Sequence, residues 1–121
     1  MKTILFAEDE PSLQLILADA LRKEGYKVLT APDGEVALDI LRKKKPDFVL
    51  LDLIMPKKDG FEVLKEMKAN EKIKDLPVIV LTNLEGGSDV ENAMSLGAST
   101  FLVKTNYRID EILVKIKEFL K

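Results

Sequence analysis

The sequence predicts a doubly wound α/β fold, (βα)5, in which five parallel strands alternate with five helices. Three observations carry this prediction. Five short apolar runs without strict polar alternation recur along the 121 residues, as strands covered on both faces should read. Apolar stripes at helical spacing fill the gaps between them. All five prolines and all six glycines fall between these segments or at their ends, where chain breaks belong. Short loops and right-handed crossovers then place helices on both faces of one sheet.

Taken in order, the first run is Ile4 to Ala7. Pro11-Ser12 opens a helix whose stripe is Leu13, Ile16, Leu17, Ala20 and Leu21, with Gly25 suited to its C-terminus. The second run, Tyr26 to Thr30, precedes a helix with Asp33 as N-cap and Val36, Ala37, Ile40 and Leu41 inward. The third, Phe48 to Leu53, leads to a capping box Asp59-Gly-Phe-Glu62 and a helix burying Val63, Leu64 and Met67. The fourth, Val78 to Leu81, precedes a loop Gly86-Gly87 and a second capping box, Ser88-Asp-Val-Glu91. That helix carries Val90, Ala93 and Met94 and ends at Gly97. The fifth, Phe101 to Val103, precedes a stripe of Ile109, Ile112, Leu113, Ile116 and Leu120.

Composition narrows the chemistry. Lys and Arg number 19 against 21 Asp and Glu, a net charge of −2, which offers no attraction to nucleic acid or anionic lipid. The N-terminal apolar run is too short for a signal peptide or a membrane span, so a soluble cytoplasmic protein is expected. There is no His, Cys or Trp. Imidazole bases, thiolate nucleophiles and thiolate metal sites are therefore excluded, which leaves carboxylates, Lys, hydroxyls, backbone and a hard metal.

Ligands of an open parallel sheet bind beyond the carboxyl ends of its strands. Standing there are Glu8-Asp9-Glu10 after the first strand, Asp52 in the third, Thr82 after the fourth and Lys104 after the fifth. Taken singly, an acidic triplet is ordinarily a solvated helix start, and a Thr or Lys at a strand end is ordinarily a cap or a solvated charge. Asp52 differs, because a carboxylate between Leu51 and Leu53 costs several kcal/mol unless paired or metal-bound. Clustered carboxylates at Glu8, Asp9 and Asp52 call for a cation, and Mg²⁺ suits a few carboxylates plus waters and a phosphate oxygen. A carboxylate beside Mg²⁺ and Lys104 can act as nucleophile toward phosphorus, with the Thr82 hydroxyl helping to neutralise charge.

On these residues the sequence resembles the receiver domain of two-component response regulators. The carrying motifs are Ile4-Leu-Phe-Ala-Glu8-Asp9-Glu10, Leu50-Leu-Asp52-Leu-Ile-Met-Pro-Lys-Lys-Asp-Gly60, Val80-Leu-Thr82-Asn and Gly97-Ala-Ser-Thr-Phe101-Leu-Val-Lys104. The resemblance covers nearly the whole chain. It implies a flavodoxin-like sheet of strand order 2-1-3-4-5 and one receiver domain over residues 1–121. It also implies that Asp52 accepts a phosphoryl group from a histidine kinase, a phosphotransfer protein or a small phosphodonor. Mg²⁺ would be held by Asp9, Asp52 and the Ile54 carbonyl, with Glu8 acting through water, and Lys104 would pair with the phosphoryl oxygens. Thr82 and Phe101 would form the switch that alters the face of the fourth helix, fifth strand and fifth helix, where a downstream protein binds. Such a chain is a phosphoacceptor that promotes its own phosphorylation and dephosphorylation, not a turnover enzyme. It would be monomeric, and receivers often dimerise on phosphorylation.

The sequence departs from the family pattern at several places. Glu8 stands where Asp is commoner, Phe101 replaces the usual Tyr, and Asn83 follows Thr82 where a small residue is usual. Thr105 follows Lys104 where Pro is usual, and a cis bond before Thr costs roughly 3–4 kcal/mol, so a trans peptide and a shifted loop are expected. Two other functions compete. A Mg²⁺-dependent aspartyl-phosphate phosphohydrolase would want a second acid two residues after its nucleophile, and that position is Ile54. A phosphorylation-independent interaction module would have no need of the full acid, Thr and Lys set.

Overall fold

The five apolar runs form one parallel sheet. Its strands are β1 (Thr3–Ala7), β2 (Lys27–Ala31), β3 (Phe48–Leu51), β4 (Val78–Thr82) and β5 (Thr100–Val103), in the spatial order β2-β1-β3-β4-β5. Helices α1 (Pro11–Lys23), α2 (Gly34–Lys43), α3 (Gly60–Lys68), α4 (Gly87–Ser95) and α5 (Ile109–Leu120) connect and follow them. The computed structural model describes residues 2–84 and 86–120; Met1 and Lys121, the expected domain limits, lie outside the described residues, as does Glu85. Among the described residues no helix is long and apolar enough to cross a membrane.

Pleat alternation divides the core into two layers. Leu5, Ala7, Val49, Leu51, Val78 and Val80 face α2, α3 and α4, meeting Leu38, Leu41, Val63, Leu64 and Met67. Ile4, Phe6, Phe48, Leu50, Ile79 and Leu81 face α1 and α5, meeting Leu17, Leu21, Ile112 and Ile116. Every residue of β3 and β4 is buried, which is why these strands read as continuous apolar runs.

Several elements differ from the sequence expectation, each for a local reason. β2 begins at Lys27, because the Tyr26 amide is spent on the Leu21 carbonyl at 3.2 Å in the closing turn of α1. β3 ends at Leu51, because the Ile54 amide turns back to the Asp52 carboxylate at 3.2 Å. The Ser88 capping box does not form. Gly86 is the N-cap of α4, its carbonyl accepting from Asp89 and Val90 at 3.0 and 3.1 Å, so Gly87 and Ser88 are already helical. Asp59 does cap α3, its Oδ1 accepting from the Glu62 amide at 2.9 Å. Ile16 and Met94, expected inward, are 54% and 42% exposed, because Leu17, Ala18 and Leu21 in α1 and Ala93 in α4 take the core-facing positions.

The Lys104–Thr105 peptide is trans, as no cis bond occurs among the described residues, and a 3₁₀ turn over Lys104–Asn106 follows β5 directly. Lys57, in the loop after β3, is the one non-glycine residue at positive φ among those described, at 67°. That conformation costs an L-residue about 1 kcal/mol. Lys57→Gly should therefore raise the free energy of unfolding by roughly 0.5–1 kcal/mol, read as a higher urea midpoint at unchanged slope. A lower midpoint would show that the Lys57 side chain contributes more than its backbone loses.

Candidate functional site

The carboxyl ends of β1 and β3 lie side by side where the strand order reverses, with loops leaving toward opposite faces. The Asp52 amide donates to the Ala7 carbonyl at 3.0 Å and the Glu8 amide to the Ala31 carbonyl at 2.9 Å. The ladder is thus continued one residue past each strand, and two carboxylates are delivered to one edge. Glu8 is fixed further by its own loop: Oε2 accepts from the Glu10 amide at 3.1 Å and its carbonyl accepts from Gln14 Nε2 at 2.7 Å. Asp52 Oδ1 accepts from the Ile54 amide.

Lys104 arrives from the 3₁₀ turn after β5. Its ammonium stands 2.7 Å from Glu8 Oε1 and 2.8 Å from Asp52 Oδ2, with 11% of the side chain exposed. With Thr at position 105 and a trans peptide before it, Lys104 reaches the site. Glu8, Asp52 and Thr82 are buried, whereas Asp9 is exposed. Carboxylate oxygens of Glu8, Asp9 and Asp52 all lie within 4.8 Å of one another.

Electrostatics follow from this burial. Desolvation pushes the Glu8 carboxyl up to about 7, reinforced by the Asp52 charge and opposed by Lys104. Burial alone would lower Lys104, but its hydrogen bond to Asp52 and the nearby Glu8 carboxylate outweigh that and hold it above the ordinary lysine value. Lys104 thus pairs with two of the three clustered acids. Glu8 Oε1, though close to Lys104, lacks a well-directed hydrogen bond. A donor set of three hard oxygens with an excess of negative charge can hold a metal ion.

Thr82 closes β4, in register with Val103 of β5. Its Oγ1 is buried with no hydrogen-bond partner, an arrangement that ordinarily costs about 1–3 kcal/mol. Phe101 is partly buried and packs against the layer that includes Val80 and Ala93. Thr82 shares Val80's face of the sheet by pleat alternation, so hydroxyl and ring lie on the same side. Ile54 is 52% exposed in the loop after Asp52. Sequence reasoning missed Gln14, whose reach to the Glu8 carbonyl leaves no pattern signal. It also read Asp33 only as a cap, although Asp33 is buried with Lys57 Nζ 3.8 Å from its second oxygen.

A parallel sheet with a carboxylate cluster at its topological switch point, reached by a lysine from the end of β5, defines an α/β protein of the doubly wound class. Residues 4–117 match the family model described as the response regulator receiver domain, and the chain belongs to that family of two-component systems. Among curated relatives, sporulation initiation phosphotransferase F of Bacillus subtilis is 37% identical over 117 residues, covering 97% of this chain and 92% of that protein. The probable transcriptional regulator ycf27 of Galdieria sulphuraria is 45% identical over 101 residues, covering 84% of this chain and 38% of that protein. This chain spans less than half the length of the ycf27 relatives it matches. Among solved structures, chemotaxis response regulator CheY4 of Vibrio cholerae superposes with a TM-score of 0.90 at 28% identity, covering 98% of both chains. The Mn(2+)-bound form of response regulator Rcp1 superposes with a TM-score of 0.84 at 31% identity, over 94% of this chain and 88% of that one.

Proposed function

We propose that this receiver is gated by phosphorylation of Asp52 in the presence of Mg²⁺. The observation that carries the reading is Lys104, whose ammonium bridges Glu8 and the Asp52 carboxylate at 2.7 and 2.8 Å at the carboxyl edge of the sheet. Asp9, Asp52 and the Ile54 carbonyl are the proposed direct metal ligands, with Glu8 acting through water. The all-oxygen cluster and its excess negative charge support that assignment. When bound, Mg²⁺ supplies charge neutralisation at the transferring phosphoryl group.

The remaining work falls to the chain's own side chains. An Asp52 carboxylate oxygen attacks phosphorus; its new bond forms as the bond from phosphorus to the donor's imidazole nitrogen breaks, and the leaving imidazole takes up a proton. Lys104 exchanges its contact with Asp52 Oδ2 for the incoming phosphoryl oxygens. The unpartnered Thr82 hydroxyl gains an acceptor in the same oxygens, and its movement frees space for the Phe101 ring. The surface of α4, β5 and α5 is then altered for a downstream protein partner. Receiver domains interact with histidine kinases and phosphotransfer proteins, and a partner of that class is the proposed donor.

Incubation with acetyl phosphate and Mg²⁺ should add one phosphoryl group, detected in the intact mass and absent from Asp52→Asn. Phe101 ring resonances should shift in the phosphorylated protein. No adduct, or an adduct that survives Asp52→Asn, would defeat the reading.

A further inference from the structure

Gly34, at the first residue of α2, lies in a part of the chain that the proposed chemistry does not use, yet its backbone is pressed against the loop that leaves Asp52. A β-carbon at Gly34 would overlap the Lys58 carbonyl oxygen and stand 2.7 Å from both the Lys58 carbonyl carbon and its Cβ. Backbone atoms cannot swing aside as a side-chain tip can. Lys58 stands six residues after Asp52 and four after Ile54.

We infer that Gly34 is a positioning residue: the close backbone approach of α2 to Lys58 sets where the loop from Asp52 to Gly60 lies, and with it the Ile54 peptide at the site.

The loop is held from both sides at this point. Lys58 Nζ is bonded to Glu66 of α3 at 2.6 Å, while Lys57 Nζ faces the buried Asp33 at 3.8 Å. Leu53 and Met55 anchor the loop in the core, whereas Ile54, Pro56, Lys57 and Asp59 are exposed. α2 is the firmer body. Asp33 caps it through the Val36 amide at 2.9 Å, and Ala37, Leu38 and Leu41 are buried. A methyl group added at Gly34 therefore displaces the loop more than the helix. The displacement passes along a segment already carrying a left-handed residue at Lys57, and reaches the Ile54 amide that holds Asp52 Oδ1 at 3.2 Å.

The inference rests on the proposed reading only for its metal readout, so the test has two arms. Gly34→Ala is compared with Gly25→Ala, which also disturbs a glycine, at φ 97°, but whose β-carbon meets nothing within 4 Å. By calorimetric titration with Mg²⁺, Gly34→Ala should weaken binding at least fivefold, and Gly25→Ala by less than twofold even if it unfolds as readily. In ¹⁵N-labelled protein without metal, Gly34→Ala should shift the amides of Asp52, Leu53 and Ile54, which Gly25→Ala leaves in place. If the wild-type chain binds no Mg²⁺, the metal reading fails and the amide shifts alone decide the positioning role. Unmoved Asp52 and Ile54 amides in a folded Gly34→Ala overturn it. Should Gly34→Ala not fold, Asp33→Asn keeps the cap acceptor and removes only the charge facing Lys57. Shifts should then extend through Lys57 and Lys58 to Ile54, and shifts confined to residues 33–36 overturn the inference.

Discussion

Lys104→Met should reduce phosphorylation of Asp52 by acetyl phosphate at least a hundredfold and should make the metal-free protein's stability steeply dependent on pH. The two effects have one origin. Lys104 is the cation within 3 Å of both Glu8 and Asp52, and both acids are almost wholly withdrawn from solvent. Removing one partner of a buried pair costs about 3–5 kcal/mol, because the remaining charge is left uncompensated. Here the loss at Asp52 is joined by a second part that depends on whether Glu8 is ionised. Burial already raises its folded pKa to about 7 from an ordinary 4.5, so its protonated form favours the folded state. That contribution is fully present below pH 4.5 and is lost as pH rises through 7. Without the ammonium, the Glu8 carboxyl rises further, and the loss continues to higher pH. Urea unfolding should therefore show the variant already less stable than wild type at pH 5, where Asp52 has lost its partner, and less stable again at pH 8, where Glu8 is ionised as well, the total reaching about 3–5 kcal/mol. Equal destabilisation at both pH values would mean that the Glu8 charge has no part in what Lys104 contributes.

The part of this site legible in the sequence was the part set by covalent order. Glu8, Asp9, Asp52, Thr82 and Lys104 each stand at or just past the end of an apolar run. In a parallel sheet that position alone brings them to one edge, whichever helices intervene. Strand type was legible for a related reason: β3 and β4 are buried on both faces, and residues with no exposed side cannot alternate.

Less legible were features that depend on contacts between segments distant in the chain. The backbone approach of Gly34 to Lys58 joins residues 24 positions apart, and Asp33-Gly34 by itself reads only as a helix start. Gln14 holds Glu8 through a carbonyl, an acceptor that every residue possesses. The missed start of α4 and the outward Ile16 are errors of phase. An apolar stripe fixes that a helix is amphipathic, but one residue of rotation about its axis is settled by the neighbouring layer, here Leu17, Ala18 and Leu21 against α5 and the sheet. The two capping boxes show the same limit. Asp59 caps α3 as its pattern indicates, whereas at α4 Gly86 holds the N-cap and Ser88 lies inside the first turn.

Gly60→Ala should destabilise the protein by about 3 kcal/mol or more, at the upper end of overpacking effects. Helix propensity alone points the other way, since alanine is favoured over glycine by about 1 kcal/mol in a helix interior. Contact decides the sign. A β-carbon at Gly60 would overlap the Asp52 carbonyl oxygen and stand 2.6 Å from Leu53 Cα and 2.9 Å from Leu53 Cδ2. Leu53 is 1% exposed, and the Gly60 amide bonds its carbonyl at 3.0 Å, so neither side of the contact has room to retreat. Relief would require α3 to move off the end of β3, opening the layer formed by Val63, Leu64 and Met67. The same movement would pull on the Asp52 backbone, so phosphoryl transfer should fall even at temperatures where the variant remains folded. A urea midpoint within 1 kcal/mol of wild type, together with unchanged phosphorylation, would show that the end of β3 is free to yield. It would follow that the position of Asp52 is set by its bond to Ala7 and its contact with Lys104, with no contribution from the packing of α3.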